Sequence, residues 1–490
     1  MIYINFRIVI KVIGLLIFIL GLFMLVPCVM AIFYDHSLVL PFIKASSLSL
    51  TLGVLLYIIK VKNKEIRKRE GYLIVSLGWL LLCIFGSMPY LFEDVLPITV
   101  TDAIFESTSG FTTTGATIFN DIESINPAIL LWRSMTQWIG GMGIIVFTIA
   151  IFPILGIGGV ELFVAEAPGP TTSKIHPKIK EVAKRLWYIY VGLTISLFLI
   201  LHFFSGMSVF DAVNHAMTTM ATGGFSTKNA SIAHFNSPMV EYPIILFMLL
   251  GGTNYTILYY LFKGRLRKVW SSEELRFYLT ILLVLILTVT AVLTVGDFYD
   301  LEASFRTAAF SIISIITTTG YVTEDYTAWL PGLEMLFFLL LFLGACAGST
   351  SGGIKMIRHL AFFKTCYLEL KRILHPRAFI RMKIDGEIVQ SKTTMHILVF
   401  LLFYIIIFIM GVLIVGSLLG PDPTAFKTAT GAIATSLGNV GPSIGSLGPV
   451  DNFSGLNAPV KMFLAVYMVI GRLELFTIII LFTPYFWRIK

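Results

Sequence analysis

Phe105-Glu106-Ser107-Thr108-Ser109-Gly110-Phe111-Thr112-Thr113-Thr114-Gly115-Ala116-Thr117 opens too apolar for a surface loop and closes too rich in threonine and glycine for a membrane helix. Three more stretches share this character, so that residues 101–117, 210–227, 305–323 and 426–445 form a set. Each begins as helix-compatible, largely apolar sequence and then breaks at glycine. Asp102-Ala103, Asp211-Ala212, Thr307-Ala308 and Thr428-Ala429 each stand thirteen residues before a glycine, namely Gly115, Gly224, Gly320 and Gly441. Phe305-Arg306-Thr307-Ala308 matches Phe426-Lys427-Thr428-Ala429 residue for residue in type. Constant spacing within a unit and variable spacing between units mark an internal repeat.

The surroundings of these stretches are membrane-like. The chain has 490 residues, of which 57% are hydrophobic and 13% charged, and its mean hydropathy is +0.87. A soluble domain carries roughly 25% charged residues because its surface faces water. Apolar runs of about 20 residues, enough to cross a bilayer core as helix, recur throughout. Full spans are expected at residues 8–33, 38–59, 72–92, 128–154, 186–205, 239–262, 275–296, 332–363, 394–418 and 457–484. The first follows Arg7 and Lys11. It is too long for a signal peptide, lacks a small-residue cleavage site and precedes a second span, so it reads as a retained helix. Cys28, Cys83, Cys346 and Cys366 lie in or beside apolar segments with no metal-ligand spacing and read as reduced, structural residues.

The net charge of +8 reports topology rather than nucleic-acid binding. Most Lys and Arg fall in residues 7–11, 60–69, 174–185, 263–276, 355–392 and 488–490. The positive-inside rule places these segments, and both termini, in the cytoplasm. Many acidic residues gather outside, among them Glu93, Asp94, Asp297, Asp300, Glu324 and Asp325. They read either as solvated loop charges or as an acidic mouth that concentrates cations.

The expected fold is therefore an all-α integral membrane protein with ten transmembrane helices. Two N-terminal helices (1–70) precede four pseudo-symmetric helix–pore helix–filter–helix repeats, at 71–185, 186–274, 275–393 and 394–490. The breaks read Thr113-Thr114-Gly115, Thr222-Gly223-Gly224, Thr318-Thr319-Gly320 and Asn439-Val440-Gly441. Non-helical backbone at membrane depth is tolerated where it is buried in protein or lines water. Glycine there holds conformations closed to other residues, so successive carbonyls can turn toward one axis. Four such strands would replace the hydration shell of a potassium ion with backbone oxygens, as in potassium channels. The negative C-terminal ends of the four short helices would converge beneath them. The competing reading, re-entrant turns used only for close packing, suits one copy better than four.

Phe105 to Thr117, with Gly344-Ala-Cys-Ala-Gly-Ser-Thr-Ser-Gly-Gly-Ile-Lys355 and Gly471-Arg-Leu-Glu-Leu-Phe476, resembles the Trk/Ktr/HKT superfamily of potassium transport proteins. The two additional N-terminal helices make the TrkH/TrkG bacterial pore-forming subunits the most similar branch. The resemblance covers essentially the whole chain. It implies potassium uptake across the bacterial cytoplasmic membrane through the twelve filter residues just quoted, with potassium bound there and no cofactor in this chain. Glycine at all four filter positions goes with potassium preference in this family, whereas serine at the first goes with sodium permeation. Asn439 and Pro442 depart furthest from the Thr-Thr-Gly pattern, so symmetry is expected to be approximate. The resemblance also implies a homodimer with one pore per subunit. It further implies a TrkA-type cytoplasmic ring, binding NAD(H) or ATP, docked on the basic loops.

A span of 32 residues at 332–363 would be about 48 Å long as ideal helix, against a core of about 30 Å. Its centre, Gly344 to Gly353, is small and flexible, with Gly348, Ser349, Thr350, Ser351, Gly352 and Gly353. It reads as an intramembrane loop gating the pore, or as a small-residue stretch for helix packing. Arg472 falls in the last expected span, where a central arginine costs about 2.5–3.5 kcal/mol on insertion scales. In the family the corresponding arginine lies beneath the filter, near the flexible loop. The other reading has carbonyls of another helix holding Arg472 for structure alone.

An ion-coupled secondary carrier of potassium or sodium is the alternative function, since such carriers also use repeats and broken helices. Their repeats are often inverted, whereas these run parallel. Nothing in the spans reads as an enzyme: there is no zinc-type His/Glu pairing, nucleophile elbow or paired carboxylate, and His202, His215 and His396 are isolated. No Gly-rich nucleotide loop follows a predicted strand, so nucleotide regulation would need a separate subunit.

Overall fold

The computed structural model describes residues 4–34, 36–61, 66–93, 98–143, 179–377, 381–421 and 423–488, without the side chains of 179–182. The later part of the expected span 128–154, the start of the basic loop 174–185, Asp94 and residues 489–490 lie outside the described residues.

The chain is predominantly helical. Helix α1 (Phe6–Tyr34) returns as α2 (Val39–Tyr57). The two cross closely, Ser46 Oγ donating to the Gly21 carbonyl at 2.8 Å. Next come α3 (Lys68–Gly86), the short α4 (Val100–Phe111), α5 (Pro127–Gly141) and α6 (Ile179–Phe203). A second short helix, α7 (Val209–Met220), precedes α8 (Pro238–Gly251), α9 (Tyr255–Phe262) and α10 (Glu273–Val295). A third, α11 (Leu301–Ile316), leads to α12 (Pro331–Leu340) and α13 (Met356–Leu374). A small hairpin of β1 (Lys383–Ile384) and β2 (Glu387–Ile388) then pairs Lys383 with Ile388. The chain ends with α14 (Ser391–Leu419), the fourth short helix α15 (Ala425–Gly438), α16 (Ala458–Arg472) and α17 (Phe476–Ile479).

Six helices among the described residues are long and apolar enough to cross a membrane, or up to eight if two bent pairs are each one span. Their outer faces stay apolar and uncovered: Leu283, Val284 and Leu287 on α10, and Leu402, Ile405, Ile409 and Leu413 on α14, are exposed. Exposed aliphatic side chains on long helices suit a hydrocarbon solvent. The protein is a multi-pass membrane protein.

Each short helix starts and stops for local reasons. Thr99 Oγ1 accepts from Asp102 N–H at 3.2 Å while Asp102 Oδ2 accepts from Thr99 N–H at 3.3 Å, a capping box at the start of α4. Ser208 caps α7 and Asp300 caps α11 in the same sense. The Asp-Ala pairs at 102–103 and 211–212 are therefore first-turn residues of α4 and α7. Asp300 and Asp325, read from sequence as solvated loop charges or as part of an acidic mouth, are both used as caps.

The helices that follow the breaks also match one another. Helices α5, α8, α12 and α16 all carry proline at their first or second position, where a missing N–H costs nothing. All four stop early, after 15, 14, 10 and 15 residues. At 1.5 Å per residue, 15 residues span about 22 Å, short of a core of about 30 Å. The expected span 239–262 bends by 110° between α8 and α9, and the span 457–484 by 106° after α16. From sequence alone, a break is expected in the third of these helices only.

Candidate functional site

The four breaks share one backbone conformation. Thr113, Thr222, Thr318 and Asn439 have φ of 55°, 52°, 56° and 53°. Two residues later, Gly115, Gly224, Gly320 and Gly441 have φ of 83°, 78°, 79° and 98°. Each left-handed residue closes its helix in the same way. Thr113 N–H donates to the Gly110 carbonyl at 3.0 Å, and Thr114 N–H to the Ser109 carbonyl at 2.9 Å. Gly223, Thr319 and Val440 repeat the second bond, to Thr218, Ser314 and Thr435. This is the Schellman ending, whose left-handed position favours glycine or asparagine. Asn439 thus fits the position well, while threonine in a left-handed well costs about 1–3 kcal/mol. The fourth break departs in sequence but not in backbone.

The glycines close a ring. A Cβ on Gly115 would overlap the carbonyl oxygen of Gly223, one on Gly224 that of Thr319, and one on Gly320 that of Val440. One on Gly441 would stand 2.6 Å from the carbonyl oxygen of Thr114. Each segment therefore faces the next, and the fourth faces the first. A cavity on one side of the ring is lined by all four glycines, with Arg133, Lys228 and Asp451. Arg133 Nε meets Glu106 Oε1 at 2.8 Å, both side chains fully buried. Glu106 also accepts from Ile118 N–H at 3.0 Å, so this pair anchors the segment leaving the first break.

Ion pairs tie neighbouring segments at the rim. The fourth residue of α8, α12 and α16 is Glu241, Glu334 and Lys461. Glu241 meets Arg306 at 2.7 Å, Glu334 meets Lys427 at 2.6 Å, and Lys461 meets Asp102 at 2.7 Å. The fourth residue of α5 is the buried Leu130. Its seam is bridged deeper, where Arg133 Nη1 donates to the Ser226 carbonyl at 3.3 Å and Gln137 Nε2 to the Gly223 carbonyl at 2.5 Å.

On the other side of the ring lies the loop between α12 and α13, which contains Gly344, Gly348, Ser349, Thr350, Ser351, Gly352 and Gly353. Gly348 and Gly353 are left-handed, at φ of 73° and 67°. Thr222 Oγ1 donates to Thr350 Oγ1 at 3.3 Å, and Gly352 N–H to Thr318 Oγ1 at 2.7 Å. The loop thus touches the first residues of two breaks. Thr113 Oγ1, at the same position of the first break, is buried without a hydrogen-bond partner.

Arg472 ends α16 rather than lying within a continuous helix. Its Nη1 donates to the Thr350 carbonyl at 2.8 Å, and its Nη2 to the Gly140 and Gly141 carbonyls at 2.5 and 3.1 Å. A cation thus satisfies carbonyls at the C-terminus of α5 and holds the loop at the same time. The two sequence readings of Arg472 differ on whether it also acts on the permeating ion; these bonds show the carbonyls of α5 and of the loop that hold it. Glu474 follows in the turn after Arg472, at φ of 54°, and pairs with Arg358 on α13. Glu274 holds the loop from the other side, accepting from Ala347 N–H at 2.7 Å and Ile357 N–H at 3.1 Å. Sequence reasoning missed Gln137 and Glu274: Gln137 follows Arg133, Ser134 and Thr136 on α5, and Glu274 is one of two acidic residues in the first turn of α10, and neither stands in a motif.

The fold and the ring define a cation transport protein. The TrkH family model, described as cation transport protein, matches residues 41–489, and the chain belongs to that family. The Trk system potassium uptake protein TrkH of Escherichia coli strain K12 is 39% identical over 488 residues, covering 99% of this chain and 100% of the relative. TrkG of the same organism is 36% identical over 487 residues, covering 98% and 99%. The crystal structure of the potassium transporter TrkH from Vibrio parahaemolyticus superposes with a TM-score of 0.88 at 37% identity, covering 99% of this chain and 100% of that one. The chain is a transporter, not an enzyme.

Proposed function

We propose that this chain takes up potassium across the bacterial cytoplasmic membrane through the ring at Gly115, Gly224, Gly320 and Gly441. The observation that carries this reading is the closure of the ring, each glycine against the carbonyl of the next segment. Backbone oxygens facing one axis stand in for water around a dehydrated potassium ion. The unpartnered Thr113 hydroxyl adds an oxygen below them. In this reading residues 71–185, 186–274, 275–393 and 394–490 are four pore repeats after a two-helix extension at 1–70, giving ten spans with both termini in the cytoplasm. The names of the relatives, potassium uptake proteins, support the choice of ion.

Uptake of radioactive rubidium into liposomes containing the purified protein, with potassium or sodium as competitor, tests this. Potassium should suppress uptake at far lower concentration than sodium. Equal suppression by the two ions would overturn the reading. Uptake that requires a sodium or proton gradient would favour the coupled carrier.

The loop 344–353 and Arg472 form the gate in this reading. The chain works as a homodimer, and a TrkA-type nucleotide-binding ring docks on the basic cytoplasmic loops. Charge reversal at Arg265, Arg267 and Lys268 should weaken retention of that ring in detergent extracts and leave the rubidium-to-sodium preference unchanged. Full retention would assign these charges to topology and anionic lipid instead.

A further inference from the structure

The four segments of the ring are alike in backbone but not in what stands behind them. The middle residues are Thr114, Thr319 and Val440 in three segments, and Gly223 in the second. The helix behind that glycine departs in a complementary way. Gln137 is the eleventh residue of α5, where the equivalent residues after α8, α12 and α16 begin are Met248, Leu341 and Met468. Gln137 is fully buried, and its amide fills the space that a side chain at 223 would need. A Cβ on Gly223 would stand 2.5 Å from Gln137 Cδ.

Both ends of that amide are used on the same segment. Gln137 Nε2 donates to the Gly223 carbonyl at 2.5 Å, and Gln137 Oε1 accepts from Phe225 N–H at 3.0 Å. The Gly223 oxygen is also the one that faces Gly115 across the first seam. This is the seam whose α5 rim position holds Leu130 rather than a charge.

We propose that Gln137 is a positioning residue for ion selectivity, fixing the second filter segment through the Gly223 carbonyl and the Phe225 amide. The proposal rests on the reading of residues 222–224 as one of four filter segments. A glycine pair at 223–224 has more backbone freedom than the Thr-Gly or Val-Gly pairs opposite. The Gln137 clamp supplies from outside the rigidity that a side chain at 223 would otherwise give. It also draws on one lone pair of the Gly223 oxygen, which lowers that oxygen's field on an ion relative to its three counterparts. Losing the clamp frees this segment to close in on the smaller sodium ion and restores the full field of the Gly223 oxygen.

The test is the ratio of potassium to sodium competition against rubidium uptake in Gln137→Leu and Gln137→Glu. The first keeps the volume and removes both bonds, and the second keeps the acceptor for Phe225 and removes the donor to Gly223. Each should lower the ratio by about 3- to 10-fold, the factor carried by roughly one net hydrogen bond, whereas a merely structural role would change total uptake and leave the ratio alone. Should neither variant reach the membrane intact, Gly223→Ala strikes the same contact from the other side and should lower the ratio similarly. Gly115→Ser run in parallel separates the two claims. If Gly115→Ser changes the ratio and the transporting Gln137 or Gly223 variants do not, the role of Gln137 is overturned and the filter stands. If Gly115→Ser also leaves the ratio unchanged, the filter reading falls first and this inference with it.

Discussion

Gly115→Ser should let sodium through, lowering the potassium-to-sodium permeability ratio by about 10-fold or more, since 1.4 kcal/mol of differential binding is already a factor of 10. Two costs meet at this residue. Its φ of 83° lies where side chains are rarely accommodated, and a Cβ there would overlap the Gly223 carbonyl oxygen. That oxygen cannot simply retreat, because Gln137 bonds it from behind. The strain is relieved by turning the carbonyl away from its position, so the ring loses an oxygen and gains a serine hydroxyl of different reach. Reversal potentials in mixed potassium and sodium solutions measure the outcome. A variant that still conducts with an unchanged ratio would remove Gly115 from the filter.

The four breaks were legible because three signals coincide in each: an apolar helical run, a glycine at fixed offset, and a flanking span. None of these depends on tertiary contacts. The match of Asn439 to the three threonines was not legible, since the eye compares side chains while the common constraint is a left-handed backbone after a helix. Asparagine and glycine satisfy it easily, and threonine only under strain. The early ends of α5, α8 and α16 were also missed, although Gly140, Gly251 and Gly471 mark all three. Hydropathy runs straight through these positions, so the windows join two pieces into one span. What calls for glycine at the ends of α5 and α16 is packing. A Cβ on Gly140 would overlap the Phe111 carbonyl oxygen, and one on Gly471 that of Leu437. Each of those carbonyls stands two residues before its break, so the glycine admits the end of the short helix. The Asp385-Gly386 turn of the hairpin carried a readable signal, two left-handed residues of the type hairpins prefer. It was absorbed into a basic cytoplasmic loop.

Releasing the loop at 344–353 should raise uptake through the isolated subunit. In the gate reading proposed above, Arg472 opposes permeation in two ways with the same sign. Its guanidinium holds the Thr350 carbonyl, and Thr350 in turn contacts Thr222 at the base of the ring. In the same reading it puts a positive charge beside the permeating ion, and two unit charges 4 Å apart at an effective dielectric of 20 repel by about 4 kcal/mol. Hydrogen bonds to charged groups contribute about 1.5–3 kcal/mol net. Arg472→Ala should therefore raise initial rubidium uptake by about 10-fold at matched protein incorporation, even though it leaves the Gly140 and Gly141 carbonyls of α5 to find water. Deleting residues 348–352 removes the contacts to Thr222 and Thr318 directly and should raise uptake by a similar factor. The two changes clear one passage, so together they should give less than the product of their separate effects. A full product would mean two independent barriers, and the loop and the arginine would then act at different points along the pore. Uptake that falls or stays level in both single variants, with the protein intact in detergent, would place the gate elsewhere.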